Sequence, residues 1–177
     1  EKEIADLHSI PGVRSVTVFT EIQSLMQGPF GEQEGVLLRA VDPYIMQIDT
    51  GFSKSVSVVS GAFDLVSSDS IVLGYELARM LSVEPGDKVS ILAVSGSSQT
   101  DLFPEDADLT VTGLFRTGYY EIDSTFAFIP SITGIKLSGP KTVLTAGLKI
   151  DTIELDRVIS ERIAKIHPFL RIQSWRT

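Results

Sequence analysis

The side chains best equipped for chemistry in this chain are carboxylates, gathered in two places. Asp101, Glu105, Asp106 and Asp108 stand close together and would offer a divalent cation hard oxygen ligands. The alternating Asp/Asn pattern with a central Gly and a closing Glu, which wraps a loop around calcium, is missing. A solvated acidic loop is therefore the plainer expectation. Glu121 and Asp123, beside Tyr119 and Tyr120, can in principle share acid and base duties. No His, Ser elbow or metal set accompanies them, so a hairpin with cross-strand packing is expected instead. Gly74 sits at a strand-to-helix switch, a position where some folds hold anions. Without a Gly-rich loop or a Lys it reads as a tight turn with close backbone packing.

The two histidines, His8 and His167, each end a short helical stretch, where the helix dipole favours them, and both read as structural. There is no Cys, so thiol nucleophiles, disulfides and Cys-ligated zinc are excluded. No G-x-S-x-G, H-E-x-x-H or Walker pattern occurs. The expectation is a non-enzyme with no catalytic, cofactor-binding or metal-binding residue. Leu102, Phe103 and Pro104 form an apolar tip within the acidic stretch; they are the candidate partner-binding residues, the alternative being that the tip folds back onto the domain. A deep polar pocket with convergent titrating groups would instead indicate an enzyme or a small-ligand binder.

These residues need elements to hold them. Ile4 and Leu7 have helical spacing over 3–9, Pro11-Gly12 marks a turn, and 13–25 reads as a strand. A connection over 27–34 leads to a strand over 35–41. Asp42-Pro43 suggests an N-cap and first helical residue for a helix through Ile48. Residues 50–70 remain undecided. Strands are predicted over 71–73, 88–94, 109–116, 124–129 and 142–150, with a helix over 75–82 and a turn at Glu84-Pro85-Gly86-Asp87. Residues 95–108 and 130–141 read as loops. Asp151 and Glu154 suggest a capping box for a helix whose core face is Leu155, Val158, Ile159, Ile163 and Ile166. Pro168 stops it, and a closing strand over 169–175 places Trp175 in core or interface.

The pattern predicts an α+β chain in two lobes. Residues 1–49 and 141–177 would make a βαβ-type lobe from both chain ends, and 50–140 an inserted, strand-rich mixed α/β lobe. A composition of 43% hydrophobic and 21% charged residues excludes disorder. The net charge of −8 argues against nucleic acid, which requires clustered Lys and Arg. No apolar run is long enough to span a bilayer. The opening Glu1 and the abrupt end at Thr177 suggest a domain cut from a longer protein.

Four stretches in order carry a family resemblance: Ile10-Pro11-Gly12-Val13; Ile71 to Ala78 running on to Val83-Glu84-Pro85-Gly86-Asp87-Lys88-Val89; Val111 to Phe115 with Gly118 to Ser124; and Ile172-Gln173-Ser174-Trp175. Together they resemble the extracytoplasmic domain of Lol-type lipoprotein-releasing ABC permeases, of the MacB-like periplasmic core class. The resemblance implies a porter-like lobe from both chain ends with an inserted sabre-like lobe. It implies a place on the periplasmic side of the bacterial inner membrane, between the first two membrane helices of the permease. It also implies several partners: a second permease subunit or another copy of the chain, a cytoplasmic ATPase subunit, acylated lipoprotein cargo and a periplasmic lipoprotein carrier. In one of the family's permease subunits a protruding hairpin recruits the carrier, and its place corresponds to Gly96 to Asp108. Here that stretch has an apolar-Pro tip and no Arg or Lys. The closing Ile-x-Ser-Trp looks more like the partner subunit. The alternative within the superfamily is a MacB- or FtsX-like permease that exports drugs, peptides or toxins, or controls cell-wall hydrolases.

Overall fold

The computed structural model describes residues 2–95, 103–139 and 143–174, without the side chains of 2–3, 93–95 and 103–106. The chain divides into two compact units, Phe19–Thr145 and Glu1–Val18 with Ala146–Thr177.

In the larger unit, β1 (Val13–Gln27) turns back into β2 (Gln33–Val41) as an antiparallel hairpin closed at Gln27 and Gln33. β2 runs parallel to β7 (Phe126–Pro130), and β7 antiparallel to β4 (Ser70–Gly74). β4 runs parallel to β6 (Phe103–Arg116), which pairs antiparallel with β5 (Lys88–Ser95). β5 then pairs with β1, so the six strands close on one another, and closure leaves few free edges. β4 is buried at every position, which explains its uninterrupted Ile71-Val72-Leu73: both faces of a strand in the middle of a sheet need apolar side chains. One face packs Met26, Leu38, Ile71, Leu73 and Ile91 against Leu77 of α4 (Tyr75–Met80) and Leu137 of α6 (Ser131–Ser138). The other face packs Val41, Val72, Phe115 and Phe128 against the segment from Ile45 to Leu65. The rings of Phe52, Phe63 and Phe115 each lie 5.0–5.7 Å from that of Phe128 or from one another. Full burial of a side chain such as Phe115, which is 0% exposed, contributes about 1.5–3 kcal/mol.

The undecided stretch 50–70 contains α3 (Thr50–Ser55) and β3 (Ser57–Gly61). Asp49 caps α3 by accepting from the Gly51 and Phe52 amides, both at 2.9 Å, and so seats Phe52 in the second core. β3 pairs with β6, with a register shift between Val58 and Ser60.

In the smaller unit, α1 (Lys2–His8), the first part of β1, β8 (Thr145–Ile150) and α7 (Asp156–Ile166) enclose Leu7, Ile10, Ile159 and Ile163. Gly12 has φ +91°, a left-handed conformation that glycine adopts without strain. Its carbonyl accepts from the Asp151 amide at 2.9 Å, tying the turn after α1 to the end of β8.

Several elements differ from the sequence expectation. The compact units divide at Val18/Phe19 and Thr145/Ala146 rather than at 49/50 and 140/141, because the second part of β1 and all of β2 are staves of the larger unit's sheet. Residues 131–138 form α6 instead of a loop, since Thr133, Gly134 and Leu137 pack inward. Asp42 accepts from the Tyr44 amide at 2.8 Å, an Asx turn that delays α2 to Ile45–Ile48. Asp151 pairs with Arg14 rather than capping a helix; a 3-10 turn over Ile153–Leu155 leads into α7. On α7, Ile159 and Ile163 are buried and Leu155 is partly buried, but Val158 and Ile166 are exposed. α7 ends before Pro168 as expected, yet residues 167–174 form no strand.

Candidate functional site

Two of the candidate contact residues, Phe103 and Pro104, belong to the β5–β6 pair, whose base is fixed by the Glu84–Asp87 turn. The Asp87 side chain accepts from the Glu84 amide at 2.8 Å, the Gly86 amide donates to Val111 O at 2.7 Å, and the Val111 amide donates to Asp87 O at 2.9 Å. From there β5 and β6 run in continuous register from Lys88 opposite Thr110 to Ser95 opposite Phe103. Ser90 Oγ donates across the strands to Asp108 Oδ1 at 2.7 Å.

The neighbouring strands are shorter than this hairpin. β1 accompanies β5 only over Ser90–Ala93, and β4 meets β6 only from Thr110 onward. Among the described residues, Val94-Ser95 and Phe103–Leu109 therefore pair only within the hairpin. A two-stranded ribbon is marginal by itself, so its order comes from the sheet at its base.

The acidic loop expected over 95–108 is thus a strand from residue 103 on. Phe103 and Pro104 are the first two residues of β6, opposite Ser95 and Val94. Pro104 lacks an amide proton, and an edge strand tolerates this because the missing donor breaks no further ladder. Leu102 lies outside the described residues, as does Asp101. Glu105 and Asp106 are strand positions opposite Ala93 and Leu92, and Asp108 is engaged by Ser90. Among the described residues no group of three or more His, Cys, Asp or Glu could hold a metal ion.

The second carboxylate pair is divided by burial. Residues 120–125 form helix α5 (Tyr120–Thr125) in place of the expected hairpin. Asp123 is 3% exposed and accepts from the Thr117 amide and hydroxyl, both at 2.7 Å, and from the Gly118 amide at 3.2 Å. Its oxygens are fully committed to holding the turn that opens α5, while Glu121 points to solvent. Residues two apart on a helix do not face each other, so the pair forms no acid/base site. A Cβ on Gly74 would overlap the Asp123 backbone carbonyl. Gly74 is therefore a close-packing glycine, and the helix that follows it has only six residues. The one clue to this knot in the sequence is an Asp five residues beyond a Thr-Gly pair. Arg116 stacks over the Tyr75 ring at 4.1 Å, fastening the end of β6 to α4.

His8 is exposed at the end of α1, and His167 caps α7 with Nε2 3.8 Å from Asp6 Oδ2. Trp175 lies outside the described residues. A shallow depression is lined by Leu25, Gln27, Gln33, Ser90, Leu92 and Asp108, and its one carboxylate is held by the Ser90 hydroxyl.

No protein-family model matches the chain. In sequence it is 30% identical over 125 residues to the lipoprotein-releasing system transmembrane protein LolC of Neisseria meningitidis serogroup B, covering 66% of this chain and 28% of that protein. The LolC protein of Xylella fastidiosa strain Temecula1 is 30% identical over 127 residues, 67% of this chain and 29% of that protein. The chain thus spans under a third of the length of these relatives. In structure it resembles the periplasmic region of MacB from Actinobacillus actinomycetemcomitans, with TM-score 0.61 and 14% identity over 94% of this chain and 73% of that one. It also resembles the extracellular domain of the ABC-type transporter YknZ from Gram-positive bacteria, with TM-score 0.59 and 13% identity over 95% and 83%. Sequence over two thirds of the chain and fold over nearly all of it make this protein a relative of the LolC-type ABC permeases, built like the extracytoplasmic domains of MacB-like permeases.

Proposed function

We propose that this chain is a non-catalytic periplasmic module of an ABC permease that extracts acylated lipoproteins from the inner membrane and passes them to a soluble carrier. The observation that carries this reading is the LolC-type sequence match within a MacB-like fold. The larger protein would hold the module on the outer side of the inner membrane. It would work with a second permease subunit, or another copy of itself, and with a cytoplasmic ATPase. The smaller unit would be the porter-like lobe and the larger one the sabre-like lobe.

The mechanism is mechanical. β1 belongs to both units, Val13–Val18 to the smaller and Phe19–Gln27 to the larger. Nucleotide-driven displacement of membrane helices in the larger protein would be passed on to the module. Leu102, Phe103 and Pro104 would then present cargo or meet the carrier.

Depletion of the full-length protein in its native cells tests this reading. Lipoproteins destined for the outer membrane should accumulate in the inner-membrane fraction of a density gradient. Normal sorting, together with a changed sensitivity to drugs or peptides, would favour the rival reading of a MacB-like exporter. The shared fold of MacB and YknZ is the observation that supports that rival.

A further inference from the structure

The charge of −8 is not spread evenly. The larger unit holds seven Lys and Arg against 16 Asp and Glu, a net of −9, and the smaller holds eight against seven, a net of +1. Within the smaller unit the excess lies at one end. No Asp or Glu occurs after Glu161, and Glu161 itself is paired with Arg157 at 3.0 Å. Arg162 and Lys165 follow at helical spacing on the solvent side of α7, away from Ile159 and Ile163. Pro168 ends the helix, and Arg171 lies just beyond. All three cations are exposed, and none makes an ion pair among the described residues.

The same segment exposes apolar side chains. Phe169 is 99% exposed, Leu170 43% and Ile172 37%. Isolated exposed hydrophobics need no explanation, but three within four residues, interleaved with unpaired cations, have a specific physical match. Aromatic and aliphatic side chains settle at the boundary between headgroups and acyl chains, while Lys and Arg bind lipid phosphates.

We propose that the segment from Arg162 to Ile172 docks on an anionic phospholipid surface, with Phe169, Leu170 and Ile172 entering the headgroup region and Arg162, Lys165 and Arg171 contacting phosphate. Charge complementarity favours this occupant: a chain with a net charge of −8 is repelled by an anionic bilayer as a whole, so attraction must come from this local excess. The inference does not depend on which cargo a larger protein moves.

Flotation of the 177-residue chain with pure phosphatidylglycerol vesicles, against pure phosphatidylcholine vesicles, tests the proposal at low salt. Recovery with phosphatidylglycerol alone, declining as salt rises, is expected. The double change Lys165→Glu with Arg171→Glu should lower the bound-to-free ratio about tenfold or more, and Phe169→Ser should lower it several-fold. Unchanged thermal melting of both variants keeps these results interpretable, since all three side chains are exposed. Absence of binding to phosphatidylglycerol would overturn the proposal, as would binding indifferent to both variants. Self-association in sedimentation that the same variants abolish, without vesicle binding, would assign the surface to a second copy of the chain instead.

Discussion

Asp123 and Gly74 meet where α5 packs on the β4–α4 corner, and each restricts what the other position can be. Asp123 satisfies three donors of the Thr117–Gly118 turn from a buried site, so Asp123→Ala should cost about 1–3 kcal/mol by removing all three part-buried hydrogen bonds. Gly74→Ala should cost a further 1–3 kcal/mol or so through overpacking against a backbone that has little room to move. Denaturant midpoints read both, and wild-type stability in either variant would contradict the packing described. Asp69 is a titrating group with a defined cause. The Ser67 hydroxyl, then the Asp69 backbone amide, then Lys88 hold its pKa below the ordinary value. A lowered carboxylate pKa stabilises the fold above its unfolded value, near 3.8, and that support is lost as pH falls through the lower folded value. Ser67→Ala should move the Asp69 titration upward in an NMR pH series; an unmoved titration would show that another group sets it. The close-packing role of Gly74 was legible in the sequence, because a lone Gly between an apolar run and a helix has few other uses. The clamp by Asp123 was not, since two of its three donors are backbone amides that no residue type announces.

Elements are legible in the sequence where periodicity is strong and obscure where tertiary contacts override local signals. β1, β2, β4 and α7 all follow apolar runs or periods. α6 was hidden by Gly134 and by the flanking Pro130 and Gly139, yet Gly134 lies where a side chain would collide with Ala40. Its glycine reflects close helix-to-sheet packing rather than a loop. The strand character of 103–108 was hidden by its carboxylates, residue types depleted in strands. For α7 the structure narrows the core face. Ile159→Ala should cost about 2–5 kcal/mol, whereas Val158→Ala, at a side chain 52% exposed, should stay within about 0.5 kcal/mol. Similar costs at the two positions in thermal unfolding would mean a different packing of α7. At the hairpin, Phe103→Ala should leave the melting temperature unchanged and weaken site-specific photocrosslinking to a soluble lipoprotein carrier. Crosslinking at wild-type yield would remove this tip from the contact.

At the scale of the whole molecule, the bare composition suggests a self-contained acidic domain, and no described helix is long and apolar enough to cross a membrane. Neither fact identifies a transport role. The order of four short motifs carries the family resemblance, and three of them fall at tight corners: the Gly12 turn, the Gly74 switch with the Glu84–Asp87 turn, and the Thr117–Asp123 knot. Such corners tolerate few residue types and so leave a trace in sequence even where the strands between them diverge. What the motifs did not reveal was the dividing line between the two units, since β1 runs through it without a break. The most direct measurement of the proposed role is ATP-dependent release of a triacylated lipoprotein from proteoliposomes. These would contain the full-length protein, its second permease subunit and its ATPase, with a soluble lipoprotein carrier outside. Release that requires both ATP and carrier is expected, whereas retention of the lipoprotein under ATP hydrolysis would contradict the proposed role.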